Sequence, residues 1–186
     1  MPHNLDPRSD QQLIAAIHDG DWAAFDALYH RYRDWTFRLA WRFTDHESDA
    51  YDTVQEVFTY LAKKLSERLD LRAGMTTLLY PAVKHTALTL KRKRLRTHHL
   101  PDNFDLPAMP HGPDHAAPAL RVELAHLLQS LSPQHREVLL MRFVDEMSLE
   151  EIAAALKIPI GTAKSRLHHA LGAVRENQAL CRRLEQ

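Results

Sequence analysis

Apolar residues recur along this chain at intervals of three and four, the spacing that gathers side chains on one face of an α-helix. Phe25, Leu28, Tyr29, Tyr32, Thr36, Leu39, Ala40 and Phe43 trace one such stripe. Thr44-Asp45 interrupts it. Ala50, Val54, Val57, Phe58, Leu61 and Leu65 then form a second stripe, leaving Asp52, Gln55, Glu56, Thr59 and Lys63 outward. Residues 69–75 have turn character around Gly74. A third face follows with Leu79, Ala82, Val83, Thr86 and Leu90, pointing away from Pro81, Lys84, His85, Leu88, Lys91 and Arg92. The apolar members of these stripes are predicted core.

The most informative stretch is residues 148–175. Ser148 followed by Glu151 has the form of a capping box, in which hydroxyl and carboxylate each satisfy an orphan helix amide. Ile152, Ala153 and Leu156 give a short helix its apolar stripe, and Pro159 and Gly161 break the run. Beyond them Ala163, Leu167, Ala170, Leu171 and Val174 bury one face of a second helix. At about 100° per residue, Ser165, His168, His169 and Gly172 fall opposite, with Lys164 and Arg166 on the flanks. The pattern is that of a helix-turn-helix. The helix start near Gly161 and Thr162 offers amides and a positive dipole end to a phosphate. No acidic residue occurs from Ile152 through Arg175. Two ordinary antiparallel helices would share the apolar pattern, but a solvated helix usually mixes both signs, and this bias suits a polyanionic partner.

Residues 97–118 hold five prolines, three aspartates and four histidines, with no lysine or arginine. Proline fixes φ and removes backbone donors, so this segment is predicted to be an extended linker. The expected organisation is all-α: a helical domain over 10–96, the Pro-rich linker over 97–118, and a second helical domain over 119–180. The linker histidines (His98, His99, His111, His115) lack the spacing that would organise metal ligands, so neither a metal nor any other cofactor is expected.

Composition narrows the class. The 186 residues carry equal numbers of basic and acidic side chains, so any positive surface must be local. One cysteine, Cys181, allows neither an internal disulfide nor a thiolate cluster. No apolar run approaches the roughly 20 residues of a membrane span, and the first residues have no signal-peptide pattern, so a cytoplasmic location is expected. Charge is nonetheless polarised within the first domain. Residues 45–70 hold seven carboxylates, whereas 84–96 hold six basic residues and no acid. Lys91 to Arg94 and Arg96 exceed the one or two cations that a helix C-terminus uses to complement its dipole, and a phosphate-facing role is expected. No glycine loop or positioned histidine accompanies the carboxylates, so an enzyme is not expected.

Acidic-faced helix, basic helix, Pro-rich tether and terminal helix-turn-helix together resemble an extracytoplasmic-function (ECF) sigma factor. The resemblance covers roughly residues 22–96 and 119–176. It is strongest in LSPQHREVLLMRFVDEMSLEEIAAALKIPIGTAKSRLHHAL, which is similar to the family's region 4, and continues in DAYDTVQEVFTYLAKKL, similar to its region 2. The resemblance implies that the first domain docks on the clamp helices of the RNA polymerase β′ subunit through Asp52, Gln55, Glu56 and Thr59. It implies that promoter DNA at the −10 element is met by the 70–75 loop, with Asp70, Arg72 and Met75, and by Lys84, His85, Leu88, Lys91 and Arg92. It implies that the second domain binds the polymerase β flap and reads the −35 element with Lys164, Ser165, His168 and His169, Thr162 and Arg166 contacting phosphate. An anti-sigma factor is an implied partner.

Two departures from the family pattern stand out. The Trp-Leu-Tyr ahead of the −10-reading helix is here Leu78-Leu79-Tyr80, followed by Pro81, which is expected to kink or restart the helix. At His169 the family often has a basic residue able to hold guanine with two bonds. The alternative to an initiation factor is a sigma-like adaptor that sequesters an anti-sigma factor without binding DNA; a free-standing regulator sharing only the helix-turn-helix is a third reading.

Overall fold

Every stripe identified above folds as a helix. A computed structural model of the chain describes residues 6–69, 71, 73–98 and 118–184, and the described secondary structure is eight α-helices without a strand. Two compact units divide the chain between residues 108 and 109.

The first unit begins with α1 (Asp10–His18), a helix that the stripes of the sequence do not include. Ser9 and Gln12 start it with a capping box, and Leu13, Ile14 and Ile17 are buried. The segment before it is tied down by Arg31, whose guanidinium donates to the carbonyls of Asp6 and Arg8, both at 2.8 Å. The same guanidinium pairs with the Asp10 carboxylate, which also accepts from the Tyr32 hydroxyl. α2 (Ala23–Thr44) and α3 (Glu47–Ser66) meet at a corner where Asp45 takes the left-handed conformation (φ 52°). α1 packs on α2 and α3, and α2, α3 and α4 (Met75–His98) pack on one another. Ala50, Val54, Val57, Phe58, Leu61 and Leu65 are all buried, as their spacing predicts.

α4 runs without a restart through Pro81. Proline withdraws the amide that the Thr77 carbonyl would receive. Pro81 faces solvent, however, while Leu79, Tyr80 and Val83 beside it are buried, so packing of the opposite face carries the helix through. Tyr80 reaches Phe43 of α2 edge-on, with ring centroids 6.3 Å apart.

The second unit comprises α5 (Pro118–Ser130), α6 (Pro133–Phe143), α7 (Leu149–Leu156) and α8 (Ile160–Leu184). Thr97 and His98 thus end α4 and Pro118 opens α5, where its missing donor costs nothing. The rest of the expected linker, 99–117, lies outside the described residues. Ser132 caps α6, its hydroxyl accepting from the His135 amide. The buried Arg136 closes the end of α5 by donating to the carbonyls of Leu128 (2.6 Å), Leu131 (3.0 Å) and Gln129 (3.3 Å). No described helix is long and apolar enough to cross a membrane.

Candidate nucleic-acid interface

The helix-turn-helix is built by local bonds. Ser148 Oγ accepts from the Glu151 amide (3.1 Å) and the Glu151 carboxylate accepts from the Ser148 amide (2.8 Å), the capping box expected for α7. The turn includes Pro159, as expected, but not Gly161. Lys157 ends α7 in the left-handed region (φ 54°), and the Ile158 amide donates to the Ala153 carbonyl at 3.0 Å. Pro159 then precedes α8 and Gly161 is its second residue, inside the helix. A Cβ on Gly161 would meet open space, so packing does not require glycine there. The Thr162 amide, expected to be offered outward, donates instead to the Pro159 carbonyl at 2.9 Å, which leaves Ile160 and Gly161 to provide that helix end.

Along α8, Ala163 and Ala170 are fully buried. Leu167, Leu171 and Val174 are half-buried and pack against Leu128 and Leu131 at the end of α5 and Leu139 and Leu140 of α6. α8 is therefore braced by α5 and α6 as well as by α7. Opposite this seam Lys164, Ser165, His168 and His169 are exposed, and Thr162 and Arg166 are half-buried at the edges. All six predicted −35 residues thus lie along the outer side of one helix. Sequence reasoning missed a neighbour of this face. His135 of α6 stacks on His169, ring centroids 5.7 Å apart at 22°, and His168 meets His169 edge-on at 6.0 Å. Among the described residues no group of three or more His, Cys, Asp or Glu is placed to hold a metal ion.

On α3, Asp52, Gln55, Glu56 and Thr59 are exposed and line one shallow depression together with Tyr60 and Lys63. The Thr59 hydroxyl donates back to the Gln55 carbonyl (2.8 Å), and Asp52 and Glu56 give the patch its acidic side, with Lys63 at its margin. A more apolar depression between α2 and α3 adjoins it, lined by Phe25, Tyr29, Tyr51, Val54 and Phe58 among others. Tyr51 and Tyr60, 58% and 42% exposed, flank the acidic patch and were not singled out from sequence. Their signal was available, because an aromatic outside a complete buried stripe is a common interface feature.

The predicted −10 residues do not all share one surface. Lys84, His85, Leu88, Lys91 and Arg92 fall on one side of α4, away from the buried Leu79, Val83 and Ala87. Lys84 is half-buried, its ammonium 6.0 Å from the centre of the Phe43 ring. Met75 is a correction. It is 1% exposed, because it opens α4 and its thioether stem joins the core, so it cannot contact DNA in this fold. Asp70 and Arg72 lie outside the described residues. Arg94 of the basic run corrects the expectation that all these cations face phosphate. Its guanidinium donates to Asp49 (2.7 Å) and to the Thr44 carbonyl (3.3 Å).

Comparison with known proteins bears on these surfaces. Residues 121–174 match the family model described as Sigma-70, region 4, a span containing both helices of the helix-turn-helix up to Val174. The chain is 29% identical over 182 residues to the ECF RNA polymerase sigma factor SigE of Mycolicibacterium smegmatis, covering 90% of this chain and 68% of that protein. It is 27% identical over 180 residues to the ECF RNA polymerase sigma factor SigW of Bacillus subtilis, covering 89% of this chain and 95% of that protein. Its fold is similar to that of the sigma factor RpoE from Bartonella quintana in complex with the anti-sigma factor NepR. The TM-score is 0.58 at 20% identity, over 82% of this chain and 96% of that chain.

Proposed function

We propose that this chain, which belongs to the extracytoplasmic-function (ECF) family of RNA polymerase sigma factors, divides promoter recognition between its two units and delivers both to core polymerase. The factor binds core RNA polymerase and directs promoter-specific initiation. The observation that carries the division is one of charge and exposure. The first unit turns Asp52 and Glu56 outward on α3, whereas the second turns an acid-free face outward on α8. The former suits a basic protein surface, the latter the major groove, where side chains meet base edges.

In this reading the α3 patch docks on the β′ clamp helices, with Tyr51 and Tyr60 supplying apolar area around the charges. Lys84, His85, Leu88, Lys91 and Arg92 face the −10 element. Ser165, His168 and His169 read the −35 element, while Lys164, Thr162 and Arg166 hold phosphates. The amides of Ile160 and Gly161 point the positive end of α8 toward the DNA backbone, and Gly161 without a Cβ admits close approach. Residues 99–117, between α4 and α5, act as the tether. Each unit alone binds weakly; linkage through polymerase raises the effective concentration of the second once the first is engaged. Balanced net charge fits this scheme, since the free factor then has little affinity for bulk DNA. The role needs no catalytic group and places the protein in the cytoplasm with polymerase. An anti-sigma factor covering these same faces is the regulator the scheme calls for.

Run-off transcription with purified core polymerase on genomic promoter fragments tests the reading. Discrete start sites that require the chain are expected. If the protein binds an anti-sigma factor yet supports no specific start on any promoter, the adaptor reading takes its place.

A further inference from the structure

We infer that His135, which lies on α6 outside the helix-turn-helix, is a specificity-determining positioning residue for −35 recognition: it holds the His169 ring in the orientation that meets the base. This rests on the reading of α8 as the −35 helix. His169 is exposed on a helix surface, and an exposed imidazole samples several rotamers. Stacked beside it at 5.7 Å and 22°, the His135 ring closes one side of that freedom, and His168, edge-on at 6.0 Å, closes another.

His135 is itself well placed to act as a fixed wall. It sits in the first turn of α6, its amide bound by the Ser132 hydroxyl at 3.4 Å. The next residue, Arg136, locks α6 to the end of α5 through three carbonyls. The apolar seam of Leu139 and Leu140 against Leu167 and Leu171 then fixes α6 to α8. The two rings are therefore brought together by packed helices, and ring pairs at such separations attract in offset-stacked geometry. A side chain already ordered before binding loses less freedom on meeting a base edge, so its contact discriminates more strongly. Base choice opposite His169 is set by residues on two helices, and exchanging the recognition helix alone between relatives would not transfer it.

The test is selection of −35 sequences by holoenzyme assembled from core polymerase and the full chain, with wild type and His135→Ala, His135→Phe, His169→Ala and Ser165→Ala variants. His135→Ala is expected to lower discrimination at the base position that His169→Ala also affects, by roughly three- to tenfold, with other positions unchanged. His135→Phe, which keeps the ring, is expected to restore most of it. His135→Ala is expected to add nothing in the His169→Ala background. The His169 ring proton resonances of the free protein are expected to move in His135→Ala, a signature of the lost stack that needs no DNA. Selection unchanged by His135→Ala while His169→Ala or Ser165→Ala alters it overturns the inference and leaves the α8 reading standing. Selection unchanged by all of them overturns the α8 reading, and the inference with it. A uniform loss at every position, or a failure of His135→Phe to restore preference, also overturns the inference, because either outcome marks His135 as structural only.

Discussion

Arg94, near the end of α4, reaches back 45 positions in sequence to Asp49 in the first turn of α3, with 2.7 Å between Nε and Oδ2 and side-chain exposures of only 21% and 12%. Its other arm meets the Thr44 carbonyl at the end of α2. One guanidinium therefore joins three helix ends at the corner of the first unit. Asp49 also complements the positive start of its own helix, and His46 Nδ1 lies 3.7 Å from its other oxygen. Arg94→Met should lower the stability of the full chain by about 2 kcal/mol, because the Asp49 carboxylate is left partly desolvated without its partner. Chemical denaturation measures this. Unchanged stability together with a shallower salt dependence of promoter binding would return Arg94 to the phosphate-facing group.

Lys91 and Arg92 of the same helix are assigned to phosphate. Replacing both with glutamine should weaken promoter complexes alike at all sequences and reduce the slope of log K against log salt by about one unit per lost phosphate contact. A defect confined to one −10 sequence would instead mark them as base readers.

The α3 patch can be tested by charge reversal. Asp52→Lys with Glu56→Lys should reduce affinity for core polymerase at least tenfold, since like charges across an interface cost several kcal/mol. Helical content should not change, because Val54, Val57, Phe58 and Leu61 already anchor the other side of the helix. Equal affinity for core in a competition assay would remove α3 as the docking surface.

On α8, Ser165→Ala and His169→Ala should alter which −35 sequence is preferred, each well-formed base contact contributing roughly 1–3 kcal/mol of discrimination. Arg166→Ala should weaken binding with the preference intact. Parallel selection on the three variants separates these outcomes; a shifted consensus with Arg166→Ala would place that side chain among the base readers.

The segment before α1 carries a pH dependence of its own. Arg8 bonds the Asp6 carboxylate with its side chain and its amide and holds the acid down to about 2, below the ordinary 3.8. A carboxyl depressed by folding contributes stability above its unfolded value and loses it as pH falls through the folded one. Docking of this segment on Arg31 should therefore loosen from about pH 4 down to about pH 2, and Asp6→Asn should weaken that dependence. Amide exchange of residues 8–10 across that range is the measurement; protection independent of pH in the wild type would be the contrary result.

Most of the helices were legible because amphipathic periodicity is a local property. The stripe of α3 and the capping box of α7 are written within one or two turns, and a helix that buries one side must expose the other. The outward positions of Asp52, Glu56, Ser165 and His169 follow from that rule alone. α1 was not singled out, although Ser9 and Gln12 carry the same kind of start signal that Ser148 and Glu151 give α7. Pro159 marks the turn before α8, but Gly161 does not, because the left-handed residue there is Lys157, which no composition rule flags.

What the sequence by itself determined is which residues face in and which face out of each helix, and from that an acidic face on one and an acid-free face on another. What only the tertiary structure decided is which of those residues answer to one another. Met75 was drawn into the core and Pro81 tolerated within a helix because packing across α4 outweighs a single missing bond. Arg94 was diverted from phosphate to Asp49, and His135 was set against His169. Those pairings lie 45 and 34 positions apart. They arise because helices packed by apolar seams fix the polar groups at their margins, at distances that no local pattern encodes.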